Sequence, residues 1–387
     1  MFLDGGATSM TYNSTLTPAA SGTAGHWITI DVGANSPSPS GHSGTVIIDG
    51  GGVRSSGIYI DTRSYIRVNG LSGSTSRLTV QNHLGSADPN GSVHVTHSSY
   101  VSVDYITINN ARTRGVFFND VDHSRIRGCD IRTGLVNNPM QTDGLYLQYG
   151  NDNVVENNVV VLGNNDANNH IDALQVANQE ARLTVRGNWL EWAYGRGNAN
   201  SQGAMISGIT DWLRLYNNVI LGSSQQQWQA VLLWGTYNAT GTYYVWNNTI
   251  IAQHPLGTAV QYGSISNSEI GAIQNNIIYS PGGYTLQVPI AVSPASKIDY
   301  NCLYRASGTG GIAYMSGART WTQYQALGYD LHGIDANPDY DASNGYRLNA
   351  TSPCIDRGMN LGADFNDDRD GNARPRGAAW DIGPYER

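Results

Sequence analysis

The 387-residue sequence predicts an all-β chain wound as a single-stranded parallel β-helix, on three observations. An Asn-centred motif returns at a nearly fixed step. A short run of alternating apolar residues precedes each return. Charged residues make up only 13% of a chain that carries 46 Gly, and Glu is scarce beside Asp, which suits turns rather than helices.

The motif is Asn157-Asn158-Val159-Val160. It comes back as Gly187-Asn188-Trp189-Leu190, Asn217-Asn218-Val219-Ile220 and Asn247-Asn248-Thr249-Ile250, so its second residue sits at 158, 188, 218 and 248. The step then shortens, to Asn276 and Asn301, and Cys129 holds the same place upstream. A period of this size marks stacked repeats. Asn153–Glu156, Leu183–Arg186, Leu213–Tyr216 and Tyr243–Trp246 each lead into it, and their period-2 pattern of Val, Leu, Tyr and Trp is that of strands. One such unit cannot bury its own face, so the units must stack. Stacking sets equivalent residues about 4.8 Å apart, and a column of Asn can then bond amide to amide. A leucine-rich solenoid would need a Leu consensus and helices, and neither is visible.

In chain order, His26–Ile30 and Thr45–Asp49 look like the first coils. A solenoid end needs cover, so either residues 1–20 fold over it or more chain precedes them. Residues 56–110 alternate again, and residues 111–305 are the most regular. The coils therefore span 1–305. Residues 306–387 lose the period and are expected as an irregular C-terminal segment that packs on the coils or caps them.

The net charge of −8 and the lack of a basic stripe exclude a nucleic-acid role. No run of 18 apolar residues exists, so no membrane span is expected, and no signal-peptide pattern opens the sequence. Lysine occurs once, at Lys297, read as surface. Cys129, Cys302 and Cys354 are odd in number and read as small buried thiols.

The stretch Gly22–Ile30, the Asn-Asn coils, and a tail of Asn337-Pro-Asp, Tyr346-Arg-Leu, Ser352–Gly358, Arg374-Pro-Arg and Asp381–Glu386 resemble secreted bacterial right-handed β-helix proteins of the pectate-lyase-like superfamily. The resemblance spans nearly the whole chain. It implies a right-handed coil, a polysaccharide ligand and a secreted or cell-surface location. That superfamily holds lyases, hydrolases, epimerases and tailspikes, so fold does not choose the reaction. The chain lacks a full polygalacturonase set of an Asp-Asp pair with Gly-His-Gly, and it lacks a lyase motif with a Lys base.

A second column carries the candidate chemistry. Arg114, Asp143, Asp172, Gln202 and Gln229 each open a strand half a coil before the Asn, and each is followed by Gly or Ala. They are expected in one row on the outer wall. Two carboxylates one rung apart are unfavourable without a reason. One reason is acid–base catalysis by Asp143 and Asp172, which favours a carboxylate-pair glycoside hydrolase. The other is a cation: Ca²⁺ held by the pair would neutralise a uronate while an arginine, Arg114 or Arg196, removes the C5 proton, which gives a polysaccharide lyase. A third alternative is a non-catalytic tailspike-like or adhesin-like binder. The bland alternative is two Asp residues at turns.

His170, two residues before Asp172, is placed to orient water or share a proton. Arg114 is either a carboxylate fork or the ion-pair partner of Asp143. Tyr146 and Gln175 alternate with inward residues and are expected to face substrate. Trp192, Tyr194 and Arg196 are expected on a groove wall, and Trp234 as a further stacking surface. Asp364, Asn366, Asp368 and Asp370 mimic a calcium loop but lack its Glu, so a solvated loop is favoured over a metal site. The candidate catalytic set is thus Asp143, Asp172 and His170, with no cofactor required and Ca²⁺ left open.

Overall fold

The structure, a computed structural model, describes residues 1–84, 90–133, 142–164, 170–195, 201–225, 228–236, 239–307 and 311–387. Its regular elements are strands, apart from a few 3₁₀ turns and one short helix, Trp321–Gln325. No helix among the described residues is long and apolar enough to cross a membrane. The chain divides into two compact units, Met1–Leu183 with Tyr194–Asn200, and Thr184–Ala193 with Ser201–Arg387.

The first unit stacks parallel strands coil upon coil. Val93–Asp104 pairs with Arg114–Asp122 and, through its second half, with Arg125–Arg127. Arg114–Asp122 pairs with Asp143–Gln148, and that strand with Leu174–Ala177. A second wall runs through Thr45–Asp49, Leu78–Gln81, Thr107–Asn109, Asp130–Thr133 and Val159–Asn164. Alternate residues such as Val116, Leu145, Leu174 and Val160 point inward and are fully buried. At the N-terminus, Phe2–Leu3 pairs with Ile28–Val32 and Ser9–Tyr12 with Thr45–Asp49. These first residues are strands of the opening coils, where a cover for the end was one expectation. They have free strand edges to pair with, and pairing satisfies more backbone groups than a loop would.

In the second unit the Asn doublet has two separate jobs. Asn217, Asn247 and Asn275, the first of each pair, are left-handed, with φ of 55°, 48° and 58°. Gly187 does the same at 67°. Asn and Gly are the residues that tolerate this bend, which explains why they alternate here. The second Asn points inward. The Oδ1 of Asn218 accepts from both the backbone N–H and the Nδ2 of Asn188, at 2.9 and 3.0 Å. Asn248, Asn276 and Asn301 repeat that pair of bonds, each to the Asn one coil earlier. All are fully buried. An amide supplies both acceptor and donor at every step, so no buried polar group is orphaned.

Asp330 ends that column. Its Oδ1 accepts from the N–H and Nδ2 of Asn301 at 2.8 and 2.9 Å, and its Oδ2 from the Tyr324 hydroxyl at 2.8 Å. Burial pushes its carboxyl up to about 7, against the opposing pull of these hydrogen bonds. The folded state therefore binds the proton more tightly than the unfolded chain, whose Asp titrates near 3.8. This contribution to stability is complete below that value and is lost as pH rises through about 7. Asp330→Asn keeps the acceptor and never ionises. Thermal melts across that pH range are expected to show a shallower decline for this variant than for the parent; an unchanged slope would exclude Asp330 as a source.

The coils run past 305, where the sequence ends them: Ala313–Met315 still pairs in parallel with Leu286–Val288, because the open strand edge is there to be paired. Residues 340–387 pack along the flank of the coils of the second unit. Leu361, Phe365 and Trp380 cover Tyr216, Trp246 and Ala272. Leu348, Cys354 and Ile382 cover Ile277 and Cys302. The three left-handed Asn side chains hold the tail by its backbone: Asn217 Nδ2 donates to Asp367 O, Asn247 Nδ2 to Asp381 O and Gly383 O, and Asn275 Nδ2 to Met359 O. All three cysteines are buried and free, and Cys302 lies against Cys354.

Candidate functional site

The polar row of the first unit stands in register. Arg114 is opposite Asp143, Phe117 opposite Tyr146, and Tyr146 opposite Gln175. The Gly144 N–H donates to Asp172 O at 2.9 Å, and the Asp172 N–H donates to Asp143 Oδ1 at 3.2 Å. A Cβ on Gly144 would come within 2.2 Å of Val160 Cγ1 and 2.6 Å of Ala173 O. The small residue after the acid is thus set by the core, and it fixes where the acid stands.

Both carboxyl groups are fully buried, whereas the sequence places them open on the outer wall. His170 reaches over them with its side chain 18% exposed, its Nε2 3.3 Å from Asp172 Oδ2. One ligand atom from each of Asp143, His170 and Asp172 lies within 4.8 Å of the others. Among the described residues this is the one trio of His, Cys, Asp and Glu that converges so closely. The expected catalytic set is therefore brought together, but as a covered cluster.

Arg114 closes one side. Its Nε is 3.8 Å from Asp143 Oδ2, and its guanidinium lies over the rings of Phe117 and Tyr146 at 4.8 and 4.4 Å. Of its two expected roles, partner of Asp143 is the one the geometry matches. Tyr146 and Gln175, expected to face substrate, are both buried. The Tyr146 ring packs with Phe117 and Ala177 under the guanidinium, and its hydroxyl donates to Gln148 Oε1 at 3.2 Å. For Tyr146 the reason is the cation–π contact, which draws its ring under the Arg114 guanidinium and away from the surface. Beside them runs a row missed in the sequence. Gln148 Nε2 donates to Asn119 Oδ1 at 2.8 Å, and Asn178 Nδ2 to Gln148 Oε1 at 3.0 Å. The spacing 119, 148, 178 is the same period and was the available signal.

In the second unit, Gln202 Nε2 donates to Gln229 Oε1 at 3.3 Å, and Gln229 Nε2 donates to Gln261 Oε1. These amides form a ladder that ends on Gln261. Trp192, expected on a groove wall, is 1% exposed and belongs to the core, because its position alternates with outward Glu191. Trp234 is 37% exposed, as a stacking surface requires. Arg196 and the side chain of Tyr194 lie outside the described residues. In the tail, Asp368 accepts from the N–H groups of Asp370, Asn372 and Glu386, Asp370 pairs with Arg347 at 2.8 Å, and Asp364 stands 3.8 Å from Arg214. Asn366 accepts from Arg374 through its backbone carbonyl. The loop is thus closed by its own hydrogen bonds, with Asp368 buried among them where a solvated loop was expected.

No protein-family model and no curated protein sequence matches this chain. Among solved structures, pectate lyase Pel9A aligns over 98% of this chain and 84% of its own, with a TM-score of 0.55 and 14% identity. The chain has the pectate-lyase-like parallel β-helix fold. A surface adhesin of Streptococcus pneumoniae, PfbA, aligns over 77% of this chain and 81% of its own at a TM-score of 0.36 and 7% identity, too loosely to weigh. In this pectate-lyase-like helix the acidic trio stands on the strands Asp143–Gln148 and the run leading into Leu174–Ala177.

Proposed function

We propose that this protein is a polysaccharide lyase, acting outside the cell on a uronate-containing polymer, with Asp143, His170 and Asp172 as the ligands of a divalent cation. The convergence of these three side chains within 4.8 Å carries the proposal. Burial weighs against the hydrolase that the sequence slightly favours. A carboxylate pair that cleaves by hydrolysis needs room for a sugar or a water between or beside its two groups. Here both acids are fully buried.

The donor set of two carboxylates and one imidazole suits a cation that accepts nitrogen, such as Mn²⁺ or Zn²⁺, better than the oxygen shell of Ca²⁺. Such an ion, when bound, supplies a positive charge that offsets the uronate carboxylate and acidifies the neighbouring C–H. His170, whose Nε2 lies 3.3 Å from Asp172 Oδ2, is the member of the trio that reaches solvent. Arg114 balances the charge of Asp143 and is too enclosed to take a proton from a polymer. That leaves Arg196, the other arginine the sequence offers, as the residue to test as base.

Uronate polymers incubated with the protein and each of Ca²⁺, Mn²⁺ and Zn²⁺ are expected to give the ultraviolet absorbance of a new C4–C5 double bond. New reducing ends without that absorbance would instead establish hydrolysis, and neither product would leave a binder. Arg196→Ala is expected to lose turnover while keeping bound cation, measured by metal analysis of the dialysed protein. Loss of both together would place Arg196 in the structure of the site rather than in proton transfer.

A further inference from the structure

A different face of the first unit carries a cavity of about 640 Å³, in the range of small-ligand sites. It is lined by Trp27, Arg67, Ser102, His123, Arg125 and Asp152, among others. None of these belongs to the acidic trio. Thr29 stands opposite Arg67, Arg67 opposite Ser102, and Ser102 opposite Arg125, so the floor is one outward row of the strands Ile28–Val32, Ser64–Asn69, Val93–Asp104 and Arg125–Arg127.

Two features make this more than a dent. The first is charge. Asp104 is fully buried beneath the floor and gathers three arginines: Arg67 Nε at 2.8 Å, Arg125 Nη2 at 3.2 Å and Arg127 Nε at 3.4 Å. One carboxylate cannot balance three guanidinium groups. Arg67 spends one N–H on Asp104, and Arg125 spends one there and one on Ser102 Oγ. Each guanidinium has five N–H donors, and both side chains remain more than a third exposed at the cavity. At the far rim, Asp152 adds little opposing charge, because Arg182 pairs with it at 2.7 Å and holds its carboxyl below the usual range. A chain of net charge −8 thus keeps a positive hollow.

The second is an aromatic stair. Trp27 meets Tyr65 edge-on at 5.8 Å, Tyr65 stacks on Tyr100 at 4.6 Å, and Tyr100 stacks on His123 at 4.9 Å. Tyr65, Tyr100 and His123 have φ of 57°, 54° and 51°. The same left-handed bend carries rings at Tyr105, Tyr149 and Tyr300, so it repeats along the coils, and here it is what stacks one ring on the next.

We propose that this cavity binds an acidic oligosaccharide, with its anionic groups on Arg67 and Arg125 and a sugar face on Trp27. Planar guanidinium forks select carboxylates or sulfates, and an exposed indole supplies an apolar face. The site would hold a charged polymer at a distance from the acidic trio. It does not depend on whether the trio cleaves, since it rests on other residues.

The test uses Asp143→Asn protein, in which turnover is removed, and isothermal titration with three probes: a galacturonate trimer, a sulfated galactose trimer and a neutral galactose trimer. Binding of at least one acidic trimer is expected, with no heat from the neutral one. The stronger of the two identifies the anion. Adding Trp27→Ala, an exposed residue, is expected to weaken that binding by roughly tenfold. Arg67→Gln is expected to do the same, with the thermal melt confirming that the buried Asp104 still has Arg125 and Arg127. Equal binding of the neutral trimer, no binding by either acidic trimer, or affinity untouched by both substitutions would each overturn the proposal. Failure of the lyase assay in the parent would bear on the trio and leave the titration result standing.

Discussion

Asp143→Asn and Asp172→Asn are each expected to release the bound cation and to lower turnover by at least roughly a hundredfold. The scale follows from charge stabilisation by a metal, worth several kcal/mol, and from about 1.4 kcal/mol for each factor of ten in rate. Removing either acid leaves two of the three donors that now lie within 4.8 Å. Asn keeps the shape of each acid, and at position 143 its carbonyl can still accept from the Asp172 N–H. The fold should therefore survive, with thermal melts close to the parent. Metal analysis and the double-bond assay, run on the same samples, decide the matter. Full turnover in both variants would remove the trio from the chemistry, and lost turnover with unchanged metal content would point back to acid–base work by the pair.

The second large effect concerns stability. Arg374 and Glu386 form an ion pair in which both side chains are fully buried. Arg374 also donates through Nη2 to Asn217 Oδ1 at 3.1 Å and Gly383 O at 3.0 Å, and through Nε to Asp367 O at 3.1 Å. Glu386 accepts from the N–H groups of Asp381 and Arg376 at 2.9 and 3.0 Å. One pair thus binds the last turns of the tail to a left-handed Asn of the coils. Arg374→Ala is expected to cost about 3–5 kcal/mol, because Glu386 is left charged without its partner. Replacing the pair together, as Arg374→Met with Glu386→Leu, should cost less than the single change. Denaturant unfolding measures both, and a single-variant loss below about 1 kcal/mol would show that the tail is held without this pair, by its apolar contacts and the Asn side chains.

How much of this was legible in the sequence differs by residue. The column at 158, 188, 218, 248, 276 and 301 was legible because each inward Asn must be an amide to give and take a bond at every rung. The row at 143 and 172 was legible for a similar reason, since register is copied from coil to coil. What the row does with its side chains was not legible. Period-2 alternation says which residues leave the core but not what then covers them, so Tyr146 and Gln175 were expected in the open and are buried. The partners of Asn217, Asn247 and Asn275 lie more than eighty residues away, in a tail with no period to align. The arginines around Asp104 escaped notice because they stand on the coils before and after it, Arg67 on one and Arg125 with Arg127 on the other, and no single stretch of sequence shows them together.

The sequence by itself determined the winding: a repeating step, an amide for each rung, and Asn or Gly at the bends that lead into Asn188, Asn218, Asn248 and Asn276. These are local demands, met within one coil and its neighbour. Only the tertiary structure decided which polar groups are enclosed, which acids converge with His170, and where a buried carboxylate draws arginines to one face. Those outcomes depend on what packs over each wall, and that is settled by side chains far apart in the chain.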